Sequence, residues 1–329
     1  MENFDIENRK KYDAVYKRGQ QQAKNDRCMI CGKPCSSFCQ SHTLPRMVLK
    51  NISQNGYLNT AFWQYGDKNN PEVLKPKIGI KKAGVFYLIC NECDNMVFKE
   101  YEDEKIFEKQ FSDNILNLIT LKTSLYMYYK YSIQEYVDNK ILEGVKNKRI
   151  IDLHNAEYKQ AFKNDIDDCM SYMSKMHKNP KYKVLFWKRV GYKIPIATQT
   201  CYGLRYNFKG DMVHENPTVY LLLCPFDRYS IICLYCKNDA ELINQIAFPN
   251  NVSWIKKLSL ISNLLISNTE DYSASEKLEK KLSEEDKKTI YNMAYGLEFA
   301  NFSSIQKNIS YMTNSFSYPN LLVEKYCVE

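Results

Sequence analysis

Apolar positions recur along the chain with helical, strand-like and irregular spacing in turn. From about 103 to 136, Phe107, Phe111, Ile115, Leu118, Leu121, Leu125 and Tyr128 fall three or four residues apart, which predicts a long helix with one buried stripe. A second helix is expected over roughly 155 to 177. Its apolar face carries Phe162, Ile166, Cys169, Met173 and Met176, and the methionines read as core rather than as a binding stripe. Asn179-Pro180 ends the helical section. The segments Val184 to Lys188, Tyr192 to Thr200, Cys201 to Phe208, Thr218 to Cys224 and Tyr229 to Tyr235 favour strand, with turns at Gly210-Asp211 and Pro225-Phe226-Asp227-Arg228. They predict a meander of four or five antiparallel strands. Helix returns over Asp239 to Ala247, along the stripe Trp254, Leu258, Ile261 and Leu265, and over Ser283 to Leu297, where Ser283 and Asp286 have capping-box spacing. The polar stretch 268 to 282 reads as a surface loop.

The first hundred residues lack a sustained period. Residues 1 to about 26 read as a polar helix made basic by Arg9, Lys10, Lys11, Lys17, Arg18, Lys24 and Arg27. That helix is either a solvated neighbour of the cysteine-containing segment after it or a surface for backbone phosphates. Phe38 to His42 should be extended, and Leu44 to Ile52 a short helix. Residues 53 to 82 contain Asn55-Gly56, Gly66, Asn69-Asn70-Pro71 and Pro76 and read as a long irregular insertion or hairpin. Val85 to Ile89 is a compact strand, and Phe98 to Glu104 starts a helix. The predicted class is α+β. A module spans 1–104, and an α+β domain spans 105–329, with helices over 105–178, a β-meander over 183–236 and helices over 238–329.

Composition narrows the class without naming a function. The 329 residues can bury one large core or two modest ones. Hydrophobic residues at 44% and charged residues at 26% belong to a globular chain rather than a disordered one. No apolar run approaches 18 residues, so no membrane span is expected. Twelve cysteines would suit a disulfide scaffold in a short secreted domain. Here the start, Met1-Glu2-Asn3-Phe4-Asp5, has no signal-peptide character, and Cys224 and Cys233 sit in apolar runs as buried thiols, so a reducing cytoplasm is expected. The net charge of +8 is compatible with a nucleic-acid partner without requiring one. Lys81-Lys82 and Lys146 to Arg149 are basic spots of the same ambiguity.

Cysteine spacing carries the chemistry. Cys28-Met29-Ile30-Cys31-Gly32 and Cys90-Asn91-Glu92-Cys93-Asp94 together supply four soft thiolates, a complete tetrahedral set for one structural Zn2+. Gly32 permits the tight turn that aims a pair of thiolates at one metal. A different set, Cys28, Cys31, Cys39 and His42, has competent spacing too, with Cys35 as a further thiol. The four-thiolate set uses both Cys-x-x-Cys pairs and leaves His42 for other chemistry. No Gly-rich phosphate loop, nucleophile elbow or kinase motif set is present. His154, His177 and His214 show no partner spacing.

The order Cys-x-x-Cys-Gly, then Ser41-His42-Thr43-Leu44-Pro45-Arg46, then Cys-x-x-Cys-Asp resembles zinc-stabilised HNH-type endonucleases over roughly residues 25 to 105. With Gly84-Val85-Phe86 and Phe98-x-x-Tyr101-Glu102, it is similar to uncharacterised bacterial HNH-like proteins, several suspected in phage defence. The resemblance implies a ββα-metal core in which zinc only scaffolds. It implies His42 as general base and Asp94 as ligand of a catalytic Mg2+ or Mn2+. Arg46 and Lys50 would hold the phosphate, with Lys81 and Lys82 as further nucleic-acid contacts. Ser41 stands where the family has Asp, the gap from His42 to Cys90 is long for the family, and Asn51, Asn55 and Asn59 compete for the role of the family's central asparagine. Read from the residues alone, His42 is equally a zinc ligand or a structural histidine.

Two functions are expected on these grounds. One is a metal-dependent endonuclease acting on DNA or RNA, a phage-defence effector open to control by a regulatory protein partner. The other is a catalytically inactive zinc module that binds nucleic acid or protein.

Overall fold

The computed structural model describes residues 2–61, 74–141, 143, 148–175, 179–204, 206–209, 211–213, 217–268, 271–298 and 319–327. Gly66, Asn69-Asn70-Pro71, Met176, His177, Gly210, His214 and the side chains of Lys146 to Arg149 lie outside that description. In chain order the elements begin with α1 (Glu2–Gln22), β1 (Ser41–His42), α2 (Arg46–Ile52), β2 (Tyr57–Ala61), β3 (Leu74–Gly79), β4 (Val85–Phe86) and α3 (Asn91–Val97). Next come α4 (Asp113–Ile141), α5 (Lys148–Met173), β5 (Tyr182–Val190), β6 (Ile196–Gly203), β7 (Thr218–Pro225) and β8 (Ser230–Lys237). The chain continues with α6 (Ala240–Ile246), α7 (Trp254–Asn268), β9 (Tyr272–Ala274), α8 (Glu276–Lys281) and α9 (Glu284–Glu298). No helix among the described residues is long and apolar enough to cross a membrane.

The chain is α+β, and it divides into two compact units, but not at residue 104. One unit comprises 1–43 with 84–178, and the other comprises 44–83 with 179–329. Helices α4 and α5, expected with the second domain, pack on each other, and α4 also packs on α1 and β4 in the first unit. Residues 44–83 leave between β1 and β4 and join the second unit. The neck of this excursion is closed by the Thr43 N–H and hydroxyl, both donating to the Gly84 carbonyl at 2.9 Å.

In the first unit β1 and β4 form an antiparallel pair with Ser41 opposite Phe86 and His42 opposite Val85. Phe86, Leu88, Phe98, Tyr101 and Phe107 are fully buried. Helix α3 takes in Cys93 and ends at Val97, so the helix expected to start at Phe98 is not formed. Cys90 takes the extended N-cap conformation, and Glu92 and Asp94 place negative charge in the first turn, where the helix dipole favours it. The long helix begins at Asp113, ten residues later than the periodicity suggests. Asp103 instead caps a 3-10 turn, Glu104–Glu108, and Ser112 Oγ accepts from the Ile115 N–H at 3.4 Å. Phe107 and Phe111 therefore continue the apolar spacing without belonging to the helix. Between Ile115 and Leu125 every residue of α4 is buried, so this helix is the centre of the unit.

In the second unit, seven strands among the described residues form one antiparallel sheet in the order β3-β2-β9-β6-β7-β8-β5. The expected insertion at 53–82 is a hairpin, and it supplies one edge of this sheet. The expected surface loop contains β9, which bridges that hairpin to β6. Nor is the sheet a simple meander, since β5 pairs with β8 rather than β6. Ser230 Oγ accepts from the Ile194 N–H at 2.9 Å and donates to the Tyr192 carbonyl at 2.8 Å, turning the chain out of β5 and across to β6. The predicted strands 192–200 and 201–208 accordingly collapse into β6. Val219, Leu221, Leu223, Ile232 and Leu234 face Leu258, Ile261 and Leu265 of α7 and Ile290 of α9 in one core. Helix α9 starts with the expected capping box. Ser283 Oγ accepts from the Asp286 N–H at 3.0 Å, and Asp286 Oδ2 accepts from the Ser283 N–H at 3.1 Å.

Candidate metal centre

Two local structures converge on one point of the first unit. The first is a knuckle. Arg27 and Pro34 bridge, the Cys28 N–H donates to the Lys33 carbonyl at 3.0 Å, and Gly32 makes the turn at φ +69°. The second is the start of α3, with Cys90 at the N-cap and Cys93 in the first turn. Backbone bonds tie the two together: Met29 N–H to the Leu88 carbonyl and Cys39 N–H to the Ile89 carbonyl, each 2.9 Å. As a result the sulfurs of Cys28, Cys31, Cys90 and Cys93 all lie within 4.8 Å of one another. Four thiolates around a tetrahedral zinc stand about 3.8 Å apart, given a Zn–S distance of about 2.3 Å. The cluster is close enough to hold a metal ion and is compatible with a structural zinc.

Burial and neighbouring groups move two of the thiols in opposite directions. Burial pushes the Cys28 thiol up, but the backbone N–H groups of Cys31, Cys90 and Ile30 and the neighbouring Cys31 thiol bring it down to about 7. Its sulfur accepts from the Cys90 N–H at 3.4 Å. Cys93 is displaced the other way, first by burial and then by the thiols around it. A metal ion bound by both residues would take them as thiolates. The competing set with Cys39 and His42 is not assembled. The Cys39 thiol turns to Asp94 Oδ2 at 3.2 Å, and burial and that carboxylate push it up to about 12.

Asp94 is the hub of a polar cluster beside the thiols. Ser41 Oγ donates to Asp94 Oδ1 at 2.6 Å. Lys122 of α4 places Nζ 3.7 Å from the same oxygen and donates to Glu102 Oε1 at 2.8 Å. The Lys122 side chain is 0% exposed, with its ammonium 4.5 Å from the centre of the Phe98 ring. His42, next to Ser41 in β1, is buried. Nothing here supports the expected catalytic Mg2+ or Mn2+. The metal-competent group among the described residues is the four cysteines, both oxygens of Asp94 accept hydrogen bonds beside a fixed positive charge, and serine is a poor ligand for a hard cation.

The structure therefore brings Ser41, Asp94 and the four cysteines into one neighbourhood, with His42 in the adjoining strand position. Arg46, Lys50, Lys81 and Lys82 belong to the other unit and are exposed there. Sequence reasoning missed Lys122 and the partnership of Cys39 with Asp94. Lys122 left a signal, since it stands four residues after Leu118 and three before Leu125, inside the apolar stripe of α4. A lysine there has to find buried partners. No family model, curated protein or solved structure matches the chain.

Proposed function

We propose that this chain is a zinc-scaffolded protein of HNH lineage that binds nucleic acid and holds a lysine in place of a hydrolytic metal ion. One observation carries the reading: the contact of Ser41 with Asp94 beside the buried Lys122. By the resemblance, Ser41 occupies the position of the family's Asp and Asp94 that of its last metal ligand. These two side chains meet at 2.6 Å, Ser41 from β1 and Asp94 from α3. An ammonium supplies positive charge there but cannot bind and acidify a water molecule as a divalent ion does. The exposure of His42, 8%, also speaks against a base that must reach a phosphodiester. Zinc is the metal of the four thiolates, by softness and by number.

Purified protein is expected to contain one zinc per chain, to retard nucleic acid on a native gel, and to leave plasmid and RNA uncut in Mg2+ or Mn2+. Metal-dependent cleavage that disappears in a folded His42→Ala variant would overturn this reading in favour of an active nuclease. Failure of the protein to retard any nucleic acid would remove the binding half of it.

A further inference from the structure

The excursion 44–83 concentrates the positive charge of the chain. It contains Arg46, Lys50, Lys68, Lys75, Lys77, Lys81 and Lys82 against Asp67 and Glu72, a net +5 of the +8 carried by all 329 residues. Its described residues include no acidic side chain.

The fold brings several of these cations together. Arg46 and Lys50 are one helical turn apart on α2, and both are exposed. Helix α2 packs beside the 3-10 turn Ile80–Lys82, which exposes Lys81 and Lys82. Lys77, also exposed, leads into that turn from β3. The turn is fixed by the Ile80 N–H donating to the Gly56 carbonyl at 3.0 Å.

Next to Gly56 stands Tyr57, 48% exposed, although most large apolar and aromatic side chains of this unit are buried. In the ladder Tyr57 lies opposite Gly79, which has no side chain to cover the ring. A cation cluster beside an uncovered aromatic face is the combination that binds single strands. Lysines track the phosphates, and the ring offers a stacking platform to an unpaired base. Duplex bases are already stacked on each other and have no use for the ring.

We infer that α2, the Ile80–Lys82 turn and Tyr57 form a binding surface for single-stranded nucleic acid. This rests on the nucleic-acid reading proposed above and assigns it a place and a strand class. An anionic lipid surface would meet the same lysines, but it gives no reason for Tyr57 to stand beside a bare glycine.

The test is fluorescence anisotropy with the full-length zinc-loaded protein and a labelled 20-nucleotide single strand, its duplex, and vesicles containing anionic lipid. Wild type is expected to prefer the single strand over the duplex. Combined Lys50→Ala, Lys81→Ala and Lys82→Ala should weaken single-strand binding at least tenfold. The same substitutions should flatten the slope of log affinity against log salt by about 2, since each lost single-strand phosphate contact removes about 0.7. Tyr57→Ala should weaken binding about tenfold with the slope unchanged, because stacking releases no counterions. All variants sit on exposed positions of the second unit, and its urea transition, followed by the fluorescence of Trp187 and Trp254, reports that this unit is intact. If wild type binds the single strand and these variants bind it equally well, the surface is refuted while the nucleic-acid reading survives. Preference for the duplex or for vesicles alone also refutes it. If wild type binds no nucleic acid, both proposals fail.

Discussion

Lys122→Met tests the polar cluster directly. Methionine keeps an apolar stem of similar length but removes the ammonium. Asp94, 15% exposed, then loses its nearby cation, and leaving one member of a buried pair unmatched costs about 3–5 kcal/mol. Glu102 is 47% exposed, so its share is that of a surface pair, about 0–1 kcal/mol. The ammonium over Phe98 adds about 1 kcal/mol, part of which a methionine sulfur on the same ring recovers. The lower end of the buried-pair range governs because Asp94 keeps the hydrogen bonds from Ser41 and Cys39. The expected loss is about 3 kcal/mol. The two units can be followed separately, because the described tryptophans, Trp187 and Trp254, lie in the second, whereas zinc release reports the first. With a urea slope of about 2 kcal/mol per M, the midpoint of zinc release should fall by about 1.5 M while the tryptophan transition stays in place. Adding Asp94→Asn should restore at least half of the loss, since both charges are then gone. A midpoint for Lys122→Met indistinguishable from wild type would refute the view that Lys122 balances Asp94.

Three further outcomes concern the first unit. Cys93→Ser should lower zinc content below one per chain and unfold the module, because a structural zinc contributes on the order of 10 kcal/mol; a chromogenic zinc assay with circular dichroism reads both. Gly32→Ala should cost about 1 kcal/mol through its left-handed backbone alone, since nothing lies within 4 Å of the added methyl, and zinc release in urea measures it. The Cys39 thiol is raised from 9.0 to about 12, first by burial and then by Asp94, so the folded state keeps this proton longer than the unfolded chain does. Its contribution is complete below pH 9 and is lost as the pH rises towards 12; the stability of Cys39→Ser should fall less steeply than that of wild type over this window.

What the sequence discloses depends on how local its cause is. The four clustered cysteines were legible because two short motifs carry them, and the α9 start because Ser283 and Asp286 cap within one turn. The α4 start was not. The spacing of Phe107 and Phe111 runs unbroken across Ser112, although the backbone enters the helix only after that residue. Strand β9 was invisible for a different reason. Three residues are too few to show alternation, and Tyr272 to Ala274 become a strand only because β2 and β6 flank them. The crossing from β5 to β6 is held by Ser230, whose partners lie 36 and 38 residues away. Asp94 was found as a chemically competent residue, but its setting was not. Ser41 reaches it from β1, Cys39 from the segment before β1 and Lys122 from α4, and no spacing rule links position 122 to position 94.

The sheet order also has a consequence for the timing of synthesis. Among the described residues, hairpin β2–β3 reaches the rest of its sheet only through β9, so the pairing of its inner edge waits until residue 274 has been made. At a translation rate of about 5–20 residues per second, roughly ten to forty seconds separate the end of β3 from the end of β9. Throughout that interval Leu58, fully enclosed in the finished protein, belongs to an uncovered strand edge. The cysteines have no such wait, since all four are present once Cys93 has emerged. The ribosome therefore releases a chain whose metal module can close early around a neck that still holds out an unfinished hairpin. Truncations before residue 272 should aggregate through that edge while still carrying zinc.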